Sequence, residues 1–133
     1  MEKVFDSKAC KVSLLANIPC VYIQWFGSPT SAEFQMGCDT ALEWIIKCKY
    51  SKILTDNSQA KIFKVVDQHW LNDNWLPRAE KAGYKTSAVI LGDTEAFVKF
   101  AVDNIVRHRD NSKFKTRYFR NRDEAEKWLK EVG

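Results

Sequence analysis

The sequence has few of the residues and motifs from which enzyme active sites are usually built. Its 133 residues include only two histidines, His69 and His108, and five scattered glycines. The glycines form neither a GxGxxG nor a GxxxxGK(S/T) phosphate-binding loop. Acyl transfer needs a nucleophile beside a positioned histidine, and His69 stands next to Trp70 on a predicted helix, where packing explains it. We therefore expect a protein that is not an enzyme and has no cofactor.

Closely spaced cysteines and long apolar runs are also absent. Cys10, Cys20, Cys38 and Cys48 include no CxxC pair, so we expect free thiols and no metal site. Disulfide frameworks are typical of shorter secreted chains. The N-terminus turns polar before an apolar stretch develops, and no apolar run approaches the roughly 20 residues that span a bilayer. These absences favour a cytoplasmic location without membrane insertion.

The net charge of +4 is concentrated near the C-terminus. Residues 1–104 carry 12 basic and 12 acidic side chains, whereas residues 105–133 carry nine basic and five acidic ones. We consider these basic residues a candidate anion-binding edge: Arg107, Arg109, Lys115, Arg117 and Arg120. Interleaved aromatic side chains are typical of single-stranded nucleic acid platforms, so nucleic acid is one possible partner. A charged edge strand gives the same pattern.

Strand patterns open the chain and then alternate with helices. Residues 10–15 and 20–26 are predicted strands, and the four residues between them have hairpin length. Further strands are predicted at 51–55, 86–91 and 114–119. Strands separated by helices pair in parallel. The expected fold is a single α/β domain over residues 1–133, with a mixed sheet of about five strands that opens with an antiparallel hairpin and has helices packed on it.

Capping patterns and apolar spacing predict the helices. Thr30 and Glu33 form a capping box that begins the first helix. Its inward stripe follows helical spacing: Phe34, Cys38, Ala41, Leu42, Ile45 and Cys48. A box from Asn121 to Glu124 begins the last helix.

Two helices are predicted between these. One covers residues 61–82, with a kink or a division into two short helices at Pro77. Its inward side chains are predicted to be Val66, Trp70 and Leu76. The other is capped by Asp93 and reaches Arg107. Its inward side chains are predicted to be Phe97, Phe100, Ala101 and Ile105.

The segment Asp56-Asn57-Ser58 is predicted to be a turn between a strand and a helix. Backbone amides before a helix can receive an anion or a phosphorylated hydroxyl. The segment is therefore a candidate partner-binding site or phosphorylation switch, although these residue types are also ordinary in turns.

Several segments resemble the STAS family, the sulfate-transporter and anti-sigma-factor-antagonist domains. The resemblance is stronger to a group of small, mostly uncharacterised bacterial STAS-like proteins. It is carried by Leu54-Thr55-Asp56, Asp67-Gln68-His69-Trp70 and Trp75-Leu76-Pro77-Arg78-Ala79-Glu80-Lys81-Ala82-Gly83. Tyr118-Phe119-Arg120-Asn121 before Glu124-Ala125-Glu126-Lys127-Trp128-Leu129 is also similar to that group.

The resemblance implies a non-enzymatic regulatory domain that binds another protein or itself. In anti-sigma-factor antagonists a serine of an Asp-Ser-Ser-Gly-type turn is phosphorylated, and Ser58 stands in the corresponding place here. The glycine of that turn is missing after Ser58. Binding of a lipid or nucleotide is an alternative, because related folds bind such ligands and five tryptophans supply pocket material.

Overall fold

A six-stranded mixed sheet forms the centre of the computed structural model, which describes residues 1–92 and 96–132 apart from the side chain of Phe97. The strands lie side by side in chain order: β1 (Glu2–Asp6), β2 (Cys10–Leu15), β3 (Cys20–Gly27), β4 (Lys52–Ala60), β5 (Thr86–Ile90) and β6 (Lys115–Phe119). The pairs β1–β2 and β2–β3 are antiparallel, and the remaining neighbours are parallel. The expected mixed α/β sheet with an antiparallel hairpin is confirmed, with β1 as an additional edge strand.

Within the described residues, five α-helices connect or follow these strands. They are α1 (Ser31–Cys48), α2 (Val65–Trp70), α3 (Leu76–Lys81), α4 (Ala96–Arg107) and α5 (Arg122–Glu131). A π-helical turn, Leu71–Trp75, joins α2 to α3. Pro77 lies in the first turn of α3, and the backbone stays helical over residues 65–81, so the expected division at Pro77 takes the form of a π-helical turn just before it. No helix in the described part of the chain is long and apolar enough to cross a membrane.

The sheet separates two hydrophobic cores. Alternate residues of β3 point to opposite faces, so Val21 and Ile23 enter one core while Cys20 and Tyr22 enter the other. The larger core contains buried side chains of α1, the α2–α3 segment and α4. The smaller core lies under α5, through Ala125 and Leu129. Strand β3 is therefore covered on both faces, as its apolar sequence predicts.

The predicted turn at Asp56–Ser58 is wrong, because these residues lie inside β4. Strand β3 continues to Gly27, and β4 pairs with it as far as Ala60. Between the pairs Gln24–Asp56 and Phe26–Gln59, β4 contains one additional residue, which is a β-bulge. The bulge accommodates residue types that otherwise favour turns, and the chain leaves the sheet only after Ala60.

Two predicted inward positions are also wrong. Helix α2 begins at Val65 rather than at Lys61, and Val66 is 63% exposed. The inward face of this region is formed by Leu71, Trp75 and Leu76. On α4, Phe100 is 71% exposed.

The other predictions concern α4 and the cysteines. Ala101 and Ile105 of α4 are buried as predicted. The proposed cap Asp93 and the side chain of Phe97, which was predicted to point inward, lie outside what the structure describes. All four cysteines are free, with Cys10, Cys20 and Cys38 buried and Cys48 half-buried.

Candidate functional site

The three residues of the Asp56–Ser58 segment face two sides of the sheet. The Asp56 carboxylate accepts hydrogen bonds from the Ser58 backbone N–H at 2.9 Å and from the Ser58 hydroxyl at 2.7 Å. The Tyr22 hydroxyl, in the smaller core, donates to the same carboxylate at 3.5 Å. The Asn57 side chain is buried on the opposite face, 3.5 Å from the Ile90 carbonyl oxygen. Alternation within the strand thus separates Asn57 from its two neighbours.

Charged groups lie beside Tyr22, whose hydroxyl contacts Asp56. The Arg122 guanidinium lies 4.5 Å from the centre of the Tyr22 ring and binds the Glu126 carboxylate at 2.6 Å. Burial raises the pKa of Tyr22 to about 12, and the nearby Asp56 carboxylate adds to this effect. A phosphoryl group on Ser58 requires its hydroxyl to leave Asp56 and places two like charges together. Phosphorylation of Ser58 stays a prediction.

Strand β6 forms the second candidate region, at one edge of the sheet. Lys115 and Arg117 are exposed on it, and Arg120 is exposed directly after it. The Arg117 guanidinium lies 5.3 Å from the centre of the Phe119 ring, which in turn packs against Trp128 of α5 at 5.6 Å. A shallow groove follows this contact between β6 and α5. The structure therefore places these three basic side chains along one accessible edge.

The other two basic residues lie elsewhere. Arg107 ends α4, and its guanidinium donates to the Asn104 side chain at 3.1 Å. Arg109 turns inward after the helix and is only partly exposed. Its Nη1 donates to the Tyr84 hydroxyl at 2.9 Å and to the Ser87 hydroxyl at 3.4 Å. The Arg109 Nε is buried and has no hydrogen-bond partner among residues 1–92 and 96–132.

Arg109 forms part of the wall of a cavity of about 80 Å³ in the larger core. The wall is mainly aromatic and aliphatic, and its aromatic members are Trp25, Phe34, Phe63, Trp75 and Tyr84. Its polar members are Thr55, Asn57, Ser87 and Arg109.

Direct contacts hold the aromatic wall in place. The rings of Trp25 and Phe34 stack at 5.0 Å, while Trp75 packs edge-on against Tyr84 at 5.7 Å. The Trp75 indole N–H also donates to the Cys38 carbonyl at 2.7 Å.

The sequence motif around Gln68 has a structural role beside this cavity. Gln68 donates from its side chain to the Phe63 carbonyl at 3.0 Å and accepts from the Asn104 side chain at 2.9 Å. It therefore ties α2 to the preceding loop and to α4. Two signals were available in the sequence, namely the polar pair Asp67-Gln68 among apolar residues and Ser87 within an apolar strand. Neither identifies the cavity without the fold.

The cavity and the edge also differ in the chemistry that they offer. Within the described ranges, no group of three His, Cys, Asp or Glu side chains is placed to hold a metal ion. The cavity instead offers hydrogen-bond donors in apolar surroundings, and the β6 edge offers positive charge in solvent.

No family model matches the sequence, and no curated protein does. Among solved structures, one similar chain is an uncharacterised DUF3478-family protein with a SpoIIAA-like fold from Shewanella loihica PV-4. Its identity to this chain is 13%, its TM-score is 0.64, and the match covers 95% of this chain and 98% of that one. The unphosphorylated anti-sigma factor antagonist SpoIIAA has 13% identity and a TM-score of 0.48, over 76% of this chain and 100% of that one. The match to the DUF3478 protein confirms the fold expected from the STAS resemblance, which is SpoIIAA-like.

Proposed function

We propose that the chain is a non-enzymatic, cytoplasmic regulatory domain that acts by binding another protein through the β6 edge. The observation that carries this proposal is the position of a basic strand at the end of the sheet. The SpoIIAA-like fold and the motifs that resemble STAS-like proteins support a binding role over a catalytic one. The partner that fits is an extended acidic segment.

An edge strand can recruit such a segment through its backbone. Strand β6 pairs with β5 on one side, and among the described strands none covers its other side. A partner strand added there satisfies outward-facing N–H and C=O groups, and side-chain contacts supply specificity. Lys115, Arg117 and Arg120 attract carboxylates, so they increase the association rate and select an acidic sequence.

The test uses a fluorescent peptide of alternating glutamate and valine, with a lysine–valine peptide as its counterpart. Fluorescence anisotropy should show saturable binding of the acidic peptide that weakens as salt is raised. The double variant K115E/R117E should bind it at least about tenfold more weakly, because like charges then face each other. The matched control Lys47→Glu reverses an exposed charge on α1 and should bind as the wild type does.

Two outcomes contradict the proposal. Equal affinity of the double variant and the wild type would remove the β6 edge from the interaction. Binding of a single-stranded oligonucleotide, with no binding of the acidic peptide, would identify nucleic acid rather than protein as the partner, since the basic edge also attracts phosphates.

A second candidate function, binding of a small molecule, is favoured by the cavity in the larger core. A cavity of about 150 Å³ holds benzene, so a cavity of about 80 Å³ suits a compact ligand better than a whole lipid or nucleotide. Native mass spectrometry of the protein purified without denaturation should show a small retained mass. If no retained mass is found, and the protein takes up none of a panel of small metabolites, this second function is contradicted.

A further inference from the structure

We infer that the cavity takes a small organic carboxylate and that Arg109 recognises its carboxyl group. This inference rests on the small-molecule function proposed above and names the ligand class of that same site. It is carried by the position of Arg109 at the cavity wall together with the hydrogen-bonding state of its guanidinium.

The guanidinium is held in place on one side and unsatisfied on the other. Tyr84 and Ser87 accept from Nη1, and the Tyr84 ring lies 5.7 Å from the guanidinium carbon. The buried Nε has no partner within the described ranges of the chain. A carboxylate accepts two parallel hydrogen bonds from an arginine, and Nε together with Nη2 is one such pair of donors. Tyr84 and Ser87 leave that pair of donors available.

Among the described residues, the charge of Arg109 also has no opposite charge paired with it. Within the part of the chain that the structure describes, no carboxylate forms an ion pair with Arg109. Burial of a cationic donor without a partner is unfavourable, whereas a bound carboxylate supplies both charge and acceptors. Because the remaining wall is largely apolar, the attraction between the two charges is stronger there than in water.

The cavity limits the rest of the ligand. Aliphatic side chains of β5 and α4 face the space beside Arg109: Val89, Val102, Ile105 and Val106. A cavity of about 150 Å³ lined by apolar residues accepts benzene, so one of about 80 Å³ suits a ligand with fewer than benzene's six non-hydrogen atoms. Propionate has this size, a carboxylate at one end and an apolar tail at the other.

A purely structural role of Arg109 makes a different prediction. If its only task is to tie the segment after α4 to Tyr84 and Ser87, its loss lowers stability and changes no ligand preference. Propionate and propionamide separate the two roles, because they share shape and differ in charge.

The experiment titrates the full chain with each compound at constant ionic strength, with tryptophan fluorescence and amide NMR shifts as readouts. Trp25 and Trp75 line the cavity, so both report on its occupation. Propionate should bind with a Kd in roughly the millimolar range, and propionamide at least about tenfold more weakly. Arg109→Gln should remove this difference. The matched control Arg107→Gln, on an exposed arginine outside the cavity, should retain it.

A second variant keeps the test decisive if Arg109→Gln does not fold. Val102→Phe fills the cavity while Arg109 remains, so it should abolish propionate binding. Binding of propionate that survives Val102→Phe would overturn the inference by placing the ligand elsewhere. Equal binding of propionate and propionamide would overturn the carboxylate preference and leave the small-molecule function standing. If neither compound binds the wild type, while native mass spectrometry shows a different retained molecule, only the carboxylate inference fails.

Discussion

Gly37 allows α1 to lie directly against the sheet. A Cβ atom added at this position would lie 2.8 Å from the Cys10 Sγ and 2.8 Å from the Trp25 ring. Alanine favours helices over glycine by about 1 kcal/mol, so at an open helix position Gly→Ala stabilises. Here we expect Gly37→Ala to lower the free energy of unfolding by about 1–3 kcal/mol, because the added methyl group overpacks the contact. Urea denaturation measures the change.

Glu43→Ala is the control for this prediction, since Glu43 is exposed on the same helix and forms a surface ion pair with Lys47. We expect it to change stability by less than about 0.5 kcal/mol. If Gly37→Ala is as stable as the wild type, α1 is able to move away from β2 and β3 without cost, and the close approach has no energetic role.

At the scale of single residues, the sequence identified the candidate residues but not the structural surroundings in which they lie. It singled out Ser58 and Arg109 but placed the first in a turn and the second on a basic edge. Ser58 instead lies in a bulged strand, because β3 is long enough to pair with β4 beyond Asp56. Arg109 reaches Tyr84, 25 positions earlier in the chain, through a loop whose path depends on tertiary packing. Neither contact is encoded in local periodicity.

At the scale of elements, the cap of α1 is a clear local signal with a measurable energy. The Thr30 hydroxyl accepts from the Glu33 N–H at 3.1 Å, and the Glu33 carboxylate accepts from the Thr30 N–H at 2.8 Å. Thr30→Ala removes the first bond, so we expect a loss of about 1 kcal/mol in the free energy of unfolding. Thr30→Ser keeps the hydroxyl and should lose much less. Chemical denaturation compares the two variants, and equal losses would show that the hydroxyl does not stabilise the helix.

Features set by local chemistry were predicted correctly, whereas several features that depend on tertiary surroundings were not. The predicted box at Thr30 forms in both directions, and at Asn121 the cap bond from the Glu124 N–H forms, because a cap depends only on residues within one helical turn. Strand β1 was missed because its exposed and half-buried residues give a weak alternating pattern. Val66 and Phe100 are apolar but exposed, so hydrophobicity alone assigned them to the wrong face.

At the scale of the whole molecule, the sheet divides the buried ionisable groups between its two cores. Cys10 and Cys38 lie in the larger core, while Cys20 and Tyr22 lie in the smaller one. Burial raises the pKa of Cys10 to about 12 and that of Cys20 to about 12, and it raises the pKa of Cys38 as well. A rise in pH that ionises thiols is therefore expected to destabilise both cores.

This shared burial predicts a loss of stability in alkali. The ordinary pKa of a thiol is 9.0, so the unfolded chain releases these protons near pH 9, whereas the folded chain keeps those of Cys10 and Cys20 until about pH 12. Between these values each thiol lowers the free energy of unfolding by about 1.4 kcal/mol per pH unit, and its contribution is fully present below pH 9. The double variant C10A/C20A should therefore show a slope shallower by about 3 kcal/mol per pH unit in urea denaturation across this range, whatever its stability at neutral pH. Parallel slopes for the variant and the wild type would mean that the two thiols ionise without unfolding the cores.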